Sequence, residues 1–263
     1  MKYNGRVALQ LLLTNDDGIA SPGIAALRRA LDGLGDVTTL APAANSSAVA
    51  RSITIDRALR LTPTRFGDGF AGTAVDGTPS DCVRVALLGV VTPTPDLVVS
   101  GINLGANLGA DVTYSGTVGA ALEAALRGGA GVAVSVESRE PRWLDEAVPL
   151  VREILARVVA RGLPAHSVLN VNLPDAPAGE IRGVRPARLG GASCHDRVTL
   201  AGERAGEYFV PCDGPPVTVA ADTDFEVVAA GYVALTPLRY DLLDTALLAE
   251  IAAWDWDVDA VCG

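Results

Sequence analysis

"LLLTNDDGIASPGIAALRRAL", residues 11–31, reads as a strand, a tight polar loop and a helix in succession. Residues 7–13 are apolar but for Gln10, the length of a buried strand. Ser21 is placed to cap a helix with Pro22 at its first position, and Ile24, Leu27, Leu31 and Leu34 follow at helical spacing. Between the two elements Asp16 and Asp17 stand side by side, followed by glycine.

The same alternation continues outward. Strand-like runs at residues 37–41, 96–100, 132–136 and 168–172 are interleaved with helical patterns at 78–88, 117–127 and 143–161. Alternating strands and helices predict an α/β fold in which helices cover a mostly parallel sheet. After about residue 174 Gly, Pro and Thr become frequent. Residues 198–210 read as an antiparallel hairpin, 232–238 as a strand and 244–254 as a closing helix. The expected division is therefore a core over 1–174 and an extension over 175–263.

Composition narrows the function classes. The chain has 263 residues, 49% of them hydrophobic, and a mean hydropathy of +0.30, ample for a real core. Its net charge is -10 with Lys2 as the sole lysine, so no basic stripe exists to track a long nucleic acid. No run is long enough to span a membrane and no leader-like cleavage site follows the first strand, so a cytoplasmic location is expected. Cys82, Cys194, Cys212 and Cys262 lie far apart, against a zinc site or disulfide framework. His166 reads as structural, and His195, in a Gly-Gly-Ala-Ser-Cys-His loop, as structural or substrate-facing.

In an open parallel sheet ligands bind beyond the carboxyl ends of the strands. There lie Asp16-Asp17, Asn45-Ser46-Ser47 and the loop "SGINLGANLGADVTYSGT", residues 100–117. Two adjacent carboxylates repel, so one holds a proton or both face a cation. The oxygen donors nearby suit Mg²⁺ or Mn²⁺ rather than zinc or copper. A plain turn cap at the Asp pair and a left-handed turn at Asn103 are the alternatives. Ser115-Gly116-Thr117 opens a helix, where an N-cap or a bound phosphate would satisfy the free N–H groups.

Together "LLLTNDDGIASPGIAAL", "APAANSSAVARSITI", "GTPSDCV", "VSGINLGANLGADVTYSGTVGAALE" and "DTDFEVVAAGYVALTPL" resemble the SurE family of stationary-phase survival proteins, metal-dependent 5′/3′-nucleotidases. The resemblance implies a Rossmann-like three-layer core and a C-terminal part that exchanges segments in homodimers or homotetramers. It carries the family's metal ligands onto Asp16, Asp17, Ser47 and Asn103, with one divalent ion per subunit. It also implies hydrolysis of nucleoside monophosphates and short polyphosphate. This chain departs from the family at Ser46, where a basic residue is common and Arg51 could substitute, and at Ala124 and Asp222, where glycine is usual.

The expectation is thus metal-assisted phosphomonoester hydrolysis, with Asn107, Ser115, Gly116 and Thr117 on the phosphate oxygens. A receiver-like metal or nucleotide sensor is the alternative, though receivers need a lysine this chain cannot supply. A covalent aspartyl phosphatase would space its carboxylates as D-x-D.

Overall fold

The computed structural model describes residues 8–191, 198–200, 207–209 and 220–254. Lys2, Cys194, His195, Cys212 and Cys262, with the whole of the 201–206 turn, lie outside the described residues.

The core alternates as expected. β1 (Gln10–Thr14) leads to α1 (Pro22–Ala30), β2 (Asp36–Pro42), β3 (Leu61–Phe66), β4 (Phe70–Val75) and α2 (Pro79–Val85). β5 (Leu97–Leu104), α3 (Gly116–Leu126), β6 (Ala130–Val136), α4 (Leu144–Arg161) and β7 (Ser167–Leu173) follow. Beyond them come β8 (Val184–Pro186), β9 (Thr199–Leu200), β10 (Tyr208–Phe209), α5 (Asp224–Ala229), β11 (Val233–Arg239) and α6 (Thr245–Ala252).

Nine strands form one sheet in the order β3-β4-β2-β1-β5-β6-β7-β11-β8. β2, β1, β5, β6 and β7 run parallel, with Leu11 opposite both Val37 and Leu97. From β1 the chain steps to β2 on one side and later to β5 on the other, so strand order reverses between β1 and β5. That is the crevice where the sheet leaves room for a ligand.

α1 and α4 cover one face, where Ile24, Leu27, Val151 and Leu155 pack over Leu11, Leu13 and Val99. On the other face α2 and α3 place Cys82, Val83, Ala120 and Ala124 against Leu12 and Val98. Both sides of β1 are therefore buried, which its run of leucines encodes. Cys82 is an inert core thiol, its pKa pushed well above the usual thiol range by burial.

Two features depart from the sequence reading. β3 and β4 form an antiparallel hairpin at the sheet edge, with Phe66 opposite Phe70. With only Phe66 and Val75 buried, the two strands leave no clear apolar alternation. β5 also runs past Ser100 to Leu104: Ser100 pairs with Ala133 and Asn103 with Ser135, so one extra residue bulges out between them. The bulge carries the strand into the glycine loop.

The C-terminal strands include the expected hairpin and the strand near 232–238, and add β8, which the sequence reading does not contain. β11 adds to β7 antiparallel, β8 joins β11, and β9 pairs antiparallel with β10. No residue of α6 is buried, although its sequence, TALLAEIA, is apolar.

Candidate active site

β1 ends at Thr14, and the chain turns at once. The Asn15 side-chain amide donates to Gly18 O at 2.9 Å, closing a tight loop that presents Asp16 and Asp17 in succession. Asp16 is buried, with 3% of its surface exposed; Asp17 is half-buried.

Two neighbouring loops are fastened to this pair. Ser46 N–H donates to the backbone carbonyl of Asp16 at 2.7 Å, which holds the loop after β2 and with it Ser47. Leu104 N–H donates to Asp17 Oδ2 at 3.1 Å, which fixes the end of β5 and with it Asn103. Ser47 and Asn103 thus each lie one residue from an atom hydrogen-bonded to the Asp pair. Both polar side chains are oriented locally: Ser47 donates its hydroxyl to Asn45 Oδ1 at 2.6 Å, and Asn103 donates its amide to Gly105 O at 2.7 Å. The lone pairs of Ser47 Oγ and Asn103 Oδ1 take no part in those two bonds.

α3 approaches from the other side. Ser115 caps it by accepting from Val118 N–H at 3.0 Å. Thr117, fully buried, donates its hydroxyl to Asp16 Oδ1, and its backbone N–H also favours the Asp16 carboxylate. The start of α3 is thus directed at a carboxylate of the chain itself. Gly116 makes the approach possible: a Cβ there would lie 2.8 Å from Asp16 Cβ and 3.0 Å from Asp16 Oδ2.

Burial, reinforced by the neighbouring Asp17, pushes the Asp16 carboxyl up to about 6 despite these donors. Asp17 is raised too, again by burial, partly offset by Leu104 N–H. Among the described residues no Arg or Lys forms an ion pair with either carboxylate. A pair of buried, mutually repelling carboxylates flanked by hydroxyl and amide oxygens is chemically matched to a hard divalent cation. No cluster of three or more His, Cys, Asp or Glu among the described residues competes for that role.

Asn107 is embedded more deeply than its place in a glycine loop suggests. Its amide donates to Ser135 Oγ at 2.7 Å, its N–H to Asn172 Oδ1 at 2.8 Å, and its carbonyl accepts from Asn170 and Asn172. The donors of Asn107 and Thr117 that the sequence offers to a phosphate are therefore already engaged inside the protein. Among the described residues no such bond takes the Ser115 hydroxyl hydrogen or the Gly116 N–H, although both residues are buried.

Several supporting groups escape a reading of motifs alone. Ser135, Asn170 and Asn172 lock the glycine loop. Their signal was present as polar residues inside otherwise apolar strands, with Asn170 and Asn172 on the same face. Asp224 of the DTDF stretch is fully buried and accepts from Gly109 N–H at 2.8 Å and Gly190 N–H at 2.9 Å. A Cβ at Gly109, whose φ is +52°, would meet Gly191 O at 2.3 Å. This loop-to-loop clamp ties the C-terminal extension to the site. His166 lies away from it, its Nδ1 2.9 Å from Ala125 O and its ring beside Tyr240.

The family described as "Survival protein SurE" matches residues 11–196. A protein from Methylococcus capsulatus named 5′-nucleotidase SurE is 42% identical over 248 residues, covering 94% of this chain and 97% of the relative. A protein of the same name from Rubrobacter xylanophilus is 43% identical over 259 residues, with coverage of 94% and 97%. The crystal structure of the SurE protein from Aquifex aeolicus superposes with a TM-score of 0.80 at 37% identity, covering 92% of this chain and 98% of that one.

Proposed function

The chain belongs to the SurE family, and from that premise we propose that it is a divalent-metal-dependent phosphomonoesterase. Its substrates are nucleoside 5′- and 3′-monophosphates, with short polyphosphate as a further one. The observation that carries the reading is the convergence of three loops on the Asp pair through Ser46 N–H and Leu104 N–H.

Asp16, Asp17, Ser47 and Asn103 would hold one Mg²⁺ or Mn²⁺ per subunit. When bound, such an ion supplies positive charge to a phosphoryl oxygen and lowers the pKa of a water toward neutrality. Thr117 positions Asp16 through its hydroxyl and N–H, so the carboxylate does not reorganise during turnover. Ser115 Oγ and Gly116 N–H are the donors available to phosphate oxygens. Asn107 acts through the loop it anchors rather than through its amide.

A cytoplasmic setting suits this substrate class; no described helix is long and apolar enough to cross a membrane. α6 supports a homodimer or homotetramer built partly through residues 175–263, because an apolar helix with no buried residue gains from a partner surface. Residues 1–174 then form the metal and phosphate core. No observation among the described residues favours the receiver-like sensor.

The test is hydrolysis of AMP with Mn²⁺ or Mg²⁺ and with EDTA. Activity restored only by the metal is expected; full activity in EDTA would remove the ion from the reaction.

A further inference from the structure

On its α1/α4 side the carboxyl edge opens into a cleft of about 870 Å³. Its floor is Pro22 and Ala25 at the start of α1; one wall is the turn between β3 and β4, and the other is the loop carrying Arg139 and Trp143 ahead of α4. Leu104 also lines it, and its N–H is the one bound to Asp17 at 3.1 Å. One residue therefore joins the cleft to the carboxylate pair.

The walls are held in place. Arg29 bridges them at the far end, with Nη1 3.4 Å from Asp68 Oδ2 and Nη2 on Asp145 Oδ1. Asp175 accepts from the backbone N–H of Arg142 at 3.1 Å and of Trp143 at 3.2 Å, which clamps the aromatic wall. Arg139 lies along the glycine loop: its Cγ is 3.6 Å, and Asn103 Nδ2 3.8 Å, from where Gly105 would carry a Cβ. No carboxylate among the described residues pairs with the Arg139 guanidinium.

We infer that this cleft seats the nucleoside part of the substrate, with the base stacked on Trp143 and Arg139 engaging the phosphate at its mouth. The inference rests on the nucleotidase reading and goes beyond it by naming the specificity subsite. A pre-formed cleft of this size, with Pro22 and Ala25 at its base, charged side chains around them and Leu104 linking it to Asp17, has room for a nucleoside. Stacking on an aromatic ring accepts every base, because each has a π-face. Arg139 also answers the missing basic residue at Ser46: its stem passes Gly105, two residues from Asn103, and its guanidinium carries a fork of N–H donors suited to a phosphate.

The test compares AMP with glycerol phosphate, which has no base, in the Mn²⁺-loaded protein. Trp143→Ala is expected to raise KM for AMP by about tenfold with little change in kcat, so the preference for AMP over glycerol phosphate falls by the same factor. Trp143→Phe recovers most of that preference. Adenosine, which has the base and no phosphate, inhibits the parent competitively and loses potency by about tenfold in Trp143→Ala. Equal losses on both substrates with adenosine inhibition unchanged would overturn the subsite. Should the parent hydrolyse neither ester, the nucleotidase reading fails separately. Calorimetry of adenosine binding then decides the cleft: heat in the parent that Trp143→Ala abolishes supports it, and no heat in the parent overturns it.

Discussion

On the α3 side of the carboxyl edge the packing is closed: Asp16 is enclosed by Gly116 and Thr117, and the donors pointing at it come from the chain itself. On the α1/α4 side the same edge opens into a cleft whose walls are clamped by Asp175 and Arg29 rather than filled by side chains. The difference separates two tasks. Close packing fixes a carboxylate that must not move, whereas a pre-formed gap accepts a ligand without a cost of reorganisation. The closed side should therefore govern kcat and the open side KM.

The sharpest way to break that division is Asp16→Asn, which keeps the shape and removes the charge. On the closed side this should lower kcat by about a thousandfold or more, as loss of a charge acting in the transition state does. Steady-state kinetics with AMP and Mn²⁺ checks it. A change confined to KM would mean that Asp16 belongs functionally to the open side.

A second effect follows from the burial of that carboxyl. Asp16 titrates at about 6 in the folded protein against an ordinary 3.8, so the folded form holds a proton that the unfolded chain releases. Its contribution to stability is greatest below pH about 4 and is lost as pH rises through about 6. In metal-free protein Asp16→Asn should therefore be more stable than the parent above pH 7, by on the order of 3 kcal/mol for a shift of about two pK units. The gap should close below pH 4. Urea denaturation across pH 4–8 measures it, and Mn²⁺ should restabilise the parent alone. A gap independent of pH would show that the ionised carboxylate is not strained.

Thr117→Val gives the smallest effect and sharpens the picture most. It removes the hydroxyl that donates to Asp16 and keeps the β-branched shape. A fall in kcat of about tenfold with unchanged KM is expected from lost positioning. A rise in KM instead would place Thr117 on the phosphate, as the helix-start motif by itself suggests.

Much of the site was legible because it is local. Asp16-Asp17 follow a leucine strand directly, Ser115 precedes a helical run, and glycines flank Asn103 and Asn107, so backbone geometry alone places all of them at one edge. Thr117 and Asn107 were harder to read, because a donor at a helix start or in a glycine loop looks free until its partner is known. Their partners lie 101 residues away at Asp16 and 28 residues away at Ser135. The β3–β4 hairpin was missed for a related reason: with only Phe66 and Val75 of its strands buried, it carries little apolar alternation to reveal it.

The sequence by itself determined the alternation of strands and helices, the burial of β1 on both faces and the place of the acidic pair, since periodicity, caps and turn residues act over a few neighbours. Only the tertiary structure decided which hydroxyl holds Asp16, which loop Asp224 clamps, and that Arg139 and Trp143 line one cleft with Pro22 and Leu104. Those pairings depend on how distant segments stack around the switch in strand order, and no local preference encodes that.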